Sequence, residues 1–183
     1  YQLDVSTIST FGTGGPGSVS EGFEGATFPP TGWITTGWTR STSAGDFNSG
    51  IAAATAAGNT GTLTTLAVSN PSSLSFYLGR SSNTTAKTLT VEVSTTSQTT
   101  GFTTVATYTH SNVPSASYNQ YTIDLSAYSS SPVVYIRFNK SSSTASPWRL
   151  DDVVINYNTF TPSFVTGYNS LAVSGTSQVV YGL

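Results

Sequence analysis

Two adjacent carboxylates, Asp151 and Asp152, stand inside the run Trp148-Arg149-Leu150-Asp151-Asp152-Val153-Val154-Ile155, which otherwise reads as a buried strand. Only 8% of the 183 residues are charged, so a pair of acids there needs a physical explanation. Strand side chains alternate between faces. On that rule Leu150, Asp152 and Val154 share one face and Asp151, Val153 and Ile155 the other. A strand covered on both sides then buries at least one carboxylate, which costs several kcal/mol or takes up a proton unless it is partnered. Three partners fit: a cation such as Ca²⁺, which collects six to eight oxygens; an arginine, Arg149 or Arg137; or backbone N–H groups of a loop. The remaining reading is that both acids flank a strand end and face water.

Other residues able to do chemistry are sparse. The single histidine, His110, is followed by Ser111, but no nucleophile-elbow pattern surrounds them. Asp151 and Asp152 point opposite ways along one strand, the wrong geometry for a glycosidase pair that must face each other across a sugar. No catalytic residue is assigned, and the chain is expected not to be an enzyme. Sugar binding needs an aromatic platform and a few directed polar groups. Trp148, Trp38 and Trp33 are the candidates, with Tyr77 and Tyr118 behind them; a tryptophan within a strand pattern also reads as core, which is the expectation for Trp33, whereas Trp148, beside Pro147 at a loop-to-strand junction, is the one expected to be most exposed.

The elements that must position these residues are strands. Thr88 to Ser94 alternates Leu89, Val91 and Val93 against Thr88, Thr90 and Glu92; Ser73–Leu78, Tyr121–Leu125 and Val133–Phe138 alternate in the same way. Val133–Phe138 carries apolar residues on both faces and is expected to be covered on both. Thr62–Val68, Phe102–Thr109 and Leu150–Asn156 complete the set. Ala52 to Ala57 has alanine's helix propensity but no amphipathic stripe, and Gly50 and Gly58 bracket it, so it reads as strand or loop. Turns rich in Ser, Thr, Asn, Gly and Pro separate short strands at a spacing that signals a β-sandwich or jelly roll.

Composition narrows the class. Serine and threonine make up about a third of the chain, far above ordinary usage, so hydroxyls rather than charges solubilise the surface. The net charge is −2, and the six basic residues form no stripe, which argues against nucleic acid. No apolar stretch is long enough to span a membrane. Cysteine is absent, so there is neither a disulfide framework nor a thiolate metal site. Position 1 is not methionine, which reads as a chain that begins inside a longer protein or after processing.

Residues 20–156 resemble the choice-of-anchor J and cleaved-adhesin group of jelly-roll modules. The resemblance is carried by Glu21-Gly22-Phe23-Glu24-Gly25, Phe28-Pro29-Pro30-Thr31-Gly32-Trp33 and the closing Trp148-Arg149-Leu150-Asp151-Asp152-Val153. It implies a non-catalytic adhesion or accessory module of a secreted or cell-surface bacterial protein, often exported by the type IX route. It also implies bound calcium, which points to Asp151 or Asp152 with Glu21 or Glu24; Asp46 is the only carboxylate of the 41–61 loop. Glycans or surface proteins are the implied partners, together with neighbouring domains of the same chain. The alternatives are a carbohydrate-binding accessory module of a secreted enzyme and a structural spacer.

The flanks, Tyr1-Gln2-Leu3-Asp4-Val5-Ser6-Thr7 and Phe164-Val165-Thr166-Gly167-Tyr168-Asn169-Ser170-Leu171, resemble consecutive pieces of a fibronectin-III-like repeat. The expected architecture is therefore all-β: a jelly-roll β-sandwich over 16–158, with partial fibronectin-III-like strands over 1–15 and 159–183. Insertion of the sandwich into a loop of that repeat is one expectation, and two partial flanking repeats the other.

Overall fold

The computed structural model describes residues 2–3, 8–11, 15–82, 86–142, 145–159, 162–165 and 171–172. Within the two fibronectin-III-like stretches, residues 1, 4–7 and 166–170 lie outside the described residues. The chain divides into two units: residues 17–158, and residues 1–16 with 159–183.

In the smaller unit four short strands pair across the sequence. β1 (Gln2–Leu3) runs antiparallel to β15 (Leu171–Ala172), with Leu3 opposite Leu171. β2 (Ile8–Phe11) runs antiparallel to β14 (Pro162–Val165), with Phe11 opposite Pro162. Phe11 is thus the last residue of a strand. At the base of this unit the N–H and hydroxyl of Thr159 both donate to the carbonyl of Gly15, at 3.0 and 2.7 Å.

The larger unit is a two-sheet antiparallel jelly roll. Its strands are β3 (Pro16–Glu21), β4 (Ile34–Thr36), β5 (Thr39–Ser41), β6 (Ala53–Ala56), β7 (Thr60–Thr64), β8 (Pro71–Arg80), β9 (Lys87–Ser94), β10 (Thr103–Thr109), β11 (Tyr118–Asp124), β12 (Tyr135–Ser142) and β13 (Trp148–Asn158). One sheet has the order β10-β9-β12-β7-β4; the other is β11-β8-β13-β6-β5, with β3 also on β13. The alanine run is a strand, β6, buried at all four positions. Small side chains suit a strand lying under other structure, where propensity is overridden by packing.

Between the sheets lies the core, and the period-2 pattern supplies it. Leu74, Phe76 and Leu78 of β8 meet Leu89, Val91 and Val93 of β9 and Ile136 and Phe138 of β12, all at 2% exposure or less. Edge-to-face aromatics fill the centre, with Phe76 5.2 Å from Phe138 and 5.7 Å from Tyr108. β12 is covered on one face only: Tyr135 and Arg137 are half-buried and Val133 is exposed. The apolar Val133 and Tyr135 had suggested two covered faces, but their side of the sheet opens outward.

Two lysines belong to the interior. Lys140 of β12 is fully buried, and its Nζ donates to the carbonyls of Ala56 (2.8 Å), Ser146 (2.6 Å) and Gly58. Lys87 of β9 is 2% exposed; its Nζ donates to the hydroxyls of Ser146 and Ser81 and lies 5.7 Å from the Trp148 ring. No carboxylate appears among these partners. Burial pulls Lys140 down to about 8. Burial, with the charges of Arg80, Lys140 and Arg149, pulls Lys87 down to about 8 as well.

Candidate functional site

The acid pair sits on a β-bulge. Along β13 the register runs Leu150 opposite Leu78 and Asp151 opposite Tyr77, then jumps to Val154 opposite Ser75. Three steps on β13 therefore match two on β8, and Asp152, at φ 47°, lies in the inserted stretch. The bulge reverses the parity of the strand. Trp148 and Leu150 face the core before it, and Val153 and Ile155 after it. This corrects the face assignment from simple alternation, which put Asp151 with Val153 and Ile155.

Asp151 is fully buried, beneath a loop rather than in the core. Its Oδ2 accepts the backbone N–H groups of Asn48 (2.7 Å) and Ser49 (3.2 Å), and its Oδ1 accepts the N–H of Asp152 (2.8 Å). Burial pushes the carboxyl up to about 6; these three donors oppose the shift and the Asp152 charge adds to it. Asp152 grips the same loop from outside: Asn48 Nδ2 donates to Oδ2 and Ser49 Oγ to Oδ1, both at 2.8 Å. Of the partners weighed from sequence, backbone N–H groups take Asp151. Neither arginine does, since Arg137 pairs with Glu92 and Arg149 with Asp46, each at 2.5 Å.

Glu24 completes the arrangement. Its Oε2 accepts the N–H of Ile51 at 2.9 Å. Gly50, at φ 62°, leaves room for it: a Cβ there would come within 2.0 Å of Glu24 Oε1. Gly22 lies between the carboxylates, and a Cβ on it would stand 3.6 Å from Asp152 Oδ1 and 4.0 Å from Glu24 Oε1. Arg40 supports the same turn, donating from Nε to the Phe23 carbonyl (2.8 Å) and from Nη2 to that of Glu24 (3.0 Å).

The structure therefore gathers Asp151, Asp152 and Glu24 around residues 48–51. The other two expected ligands are turned to other partners. Glu21 accepts the N–H of Phe23 at 2.5 Å. Asp46 holds Arg149 and the Ser41 hydroxyl (2.7 Å), and the Tyr118 hydroxyl donates to its carbonyl. In kind, the donors suit a hard cation: carboxylates, an amide and a hydroxyl around a glycine that leaves space. Among the described residues no group of three or more acidic or imidazole side chains is arranged to hold a metal. Sequence reading missed Arg40, Asn48 and Ser49; the turn-forming run Asn48-Ser49-Gly50 was the available signal.

The tryptophan platform is contradicted. Trp33, Trp38 and Trp148 are 5%, 3% and 0% exposed, so none presents a ring to a ligand. Trp148 points into the sandwich because its position precedes the bulge in phase with Leu150. Trp33 packs edge-on against Phe23 at 6.0 Å. The indole nitrogens of Trp38 and Trp148 are buried without a hydrogen-bond partner among the described residues. Near His110, the Ser111 hydroxyl is bonded to that of Thr109 at 2.9 Å.

No protein-family model matches the sequence, and no curated protein matches it. Solved structures do share the fold. The K1 cleaved adhesin domain of Lys-gingipain from Porphyromonas gingivalis W83 superposes with a TM-score of 0.64 at 21% identity, over 78% of this chain and 99% of that one. TmCBM61, solved in complex with beta-1,4-galactotriose, gives 0.54 at 12% identity, over 76% and 94%. The CBM22-1 xylan-binding domain of Paenibacillus barcinonensis Xyn10C gives 0.53 at 15% identity, over 81% and 94%. The larger unit thus has the jelly-roll fold found in cleaved-adhesin and carbohydrate-binding modules.

Proposed function

We propose that this chain is a non-catalytic adhesion or interaction module of a larger secreted or cell-surface bacterial protein, stabilised by a structural calcium at its acid cluster. The observation that carries the non-catalytic part of this reading is the buried Asp151. Both its oxygens are spent on N–H groups that fix residues 48–49 to the bulge, which is a structural use of an acid and leaves it no access to a substrate. Asp152 and Glu24, flanking Gly22, are the residues that would hold the ion. Its positive charge would favour the ionised form of these two carboxylates. The pairing of Leu3 with Leu171 and of Phe11 with Pro162 supports insertion of the sandwich into a fibronectin-III-like repeat. Isothermal titration of Ca²⁺ into EDTA-stripped protein tests the calcium site. One site is expected, lost in Asp152→Ala; absence of binding heat in the wild type would reject it.

The fold shared with the galactotriose-bound and xylan-binding modules favours a glycan as the partner over a spacer role. With the tryptophans in the core, that glycan needs another surface.

A further inference from the structure

The outer face of the five-stranded sheet carries the side chains that alternate with the core, and strand register aligns them into rows. One row crosses all five strands: Thr36, Thr62, Asn139, Thr90 and Thr107. At the usual strand spacing it spans roughly 19 Å. A second row runs beside it through Thr60, Ser141, Thr88 and Thr109. On the other side Arg137 and Glu92 stand opposite one another. Every position in the first two rows carries a hydroxyl or an amide.

The centre of this face is organised. Glu92, 7% exposed, receives Thr90 Oγ1 (2.8 Å) and Asn139 Nδ2 (2.9 Å) on Oε1, and Arg137 Nε (2.5 Å) on Oε2. Burial pushes the Glu92 carboxyl up, but the bonds from Asn139, Thr90 and Arg137 outweigh it and hold the group below its ordinary value. The Arg137 guanidinium lies 3.8 Å from the ring centroid of Phe102. Beyond the second row the face runs into a cavity of about 450 Å³, whose lining includes Lys87, Thr88, Thr109, His110, Ser111 and Ser141. That volume is within the range of small-ligand sites.

The chemistry of this face selects its partner. A protein interface wants an apolar centre, and across these rows the exposed large hydrophobic residue is Ile34, at 38%, on the edge strand. A nucleic acid or acidic polymer wants unpaired cations; the Arg137 charge is cancelled by Glu92, and the buried Lys87 ammonium is turned inward onto the Ser81 and Ser146 hydroxyls. Hydroxyls and amides that both donate and accept, fixed in a plane with an aromatic ring at the margin, match a ligand that is itself a plane of hydroxyls. We propose that this face binds a neutral oligosaccharide, laid along the Thr36–Thr107 row with one end in the cavity beside Thr88 and Thr109. The inference rests on the glycan reading above and names its site.

The test is an amide chemical-shift titration of the full chain with hexasaccharides of glucose, xylose, mannose and galactose, and with hexagalacturonate. At least one neutral probe is expected to shift Thr62, Thr90 and Asn139 while leaving Asn48 and Ser49 unmoved. Asn139→Ala and, separately, the surface change Thr107→Val should each weaken that binding, Asn139→Ala at least tenfold, with melting temperature checked in both. Binding whose shifts map to another surface would overturn the proposed site and keep the glycan reading. Preference for hexagalacturonate would overturn the neutral-ligand claim. Failure of every probe to shift any amide at millimolar concentration would overturn both.

Discussion

Asp151 concentrates the physics of this molecule in one side chain. A carboxyl whose folded value is raised to about 6 binds its proton more tightly folded than unfolded. Its favourable contribution is complete below the unfolded value, near 4, and is lost as pH rises through about 6. In EDTA-treated protein, lowering the pH from 7 to 5 should therefore raise the melting temperature through this group. Asp151→Asn should flatten that rise, as thermal melts at the two pH values would record. The need for a partner was legible in the sequence, because two acids in an apolar run cannot both be left bare. Which face each takes was not. The bulge shifts the parity by one residue, and nothing at Asp152 announced a left-handed conformation, for which glycine is the usual sign.

At the scale of the element, strand pairing is continued by polar bolts. The loop 46–51 is locked to β13 by the acids, and the two sheets are joined at one end by Lys140, which carries β12 to the carbonyl of Ala56 on β6. Replacing Lys140 by Met keeps the apolar stem but removes this donor from the buried carbonyls of Ala56 and Ser146. At about 1–3 kcal/mol for an unsatisfied group, tempered by water entry, a loss of about 2–4 kcal/mol is expected in denaturant unfolding. The lysines also predict a pH response of opposite sign to that of Asp151. Their folded values are lowered to about 8, so the cost of holding them charged is relieved as pH rises from 8 towards 10.5. The strands themselves were legible from alternation in Leu89, Val91 and Val93 and in Leu74, Phe76 and Leu78. The buried lysines were not, since a lysine in a strand normally marks the solvent face, and only the tertiary position of Ser146 and Gly58 gives these ammonium groups their acceptors.

For the whole molecule, regular strand spacing and the hydroxyl-rich composition pointed to a sandwich, and the two antiparallel sheets have that form. The exposed aromatic platform did not survive, because Trp33, Trp38 and Trp148 are among the few side chains large enough to fill a lean core. In its place the sandwich presents a sheet face of threonines and an acid-clamped loop. The proposed calcium would make the clamp cation-dependent, and a thermal melt in EDTA followed by added Ca²⁺ tests that most directly. A metal bound only by the folded state at a hundred times its dissociation constant adds about 2.7 kcal/mol, several degrees in melting temperature. A drop in EDTA of that size, restored by Ca²⁺ and absent in Asp152→Ala, is the predicted result. A melting temperature indifferent to both additions would contradict it.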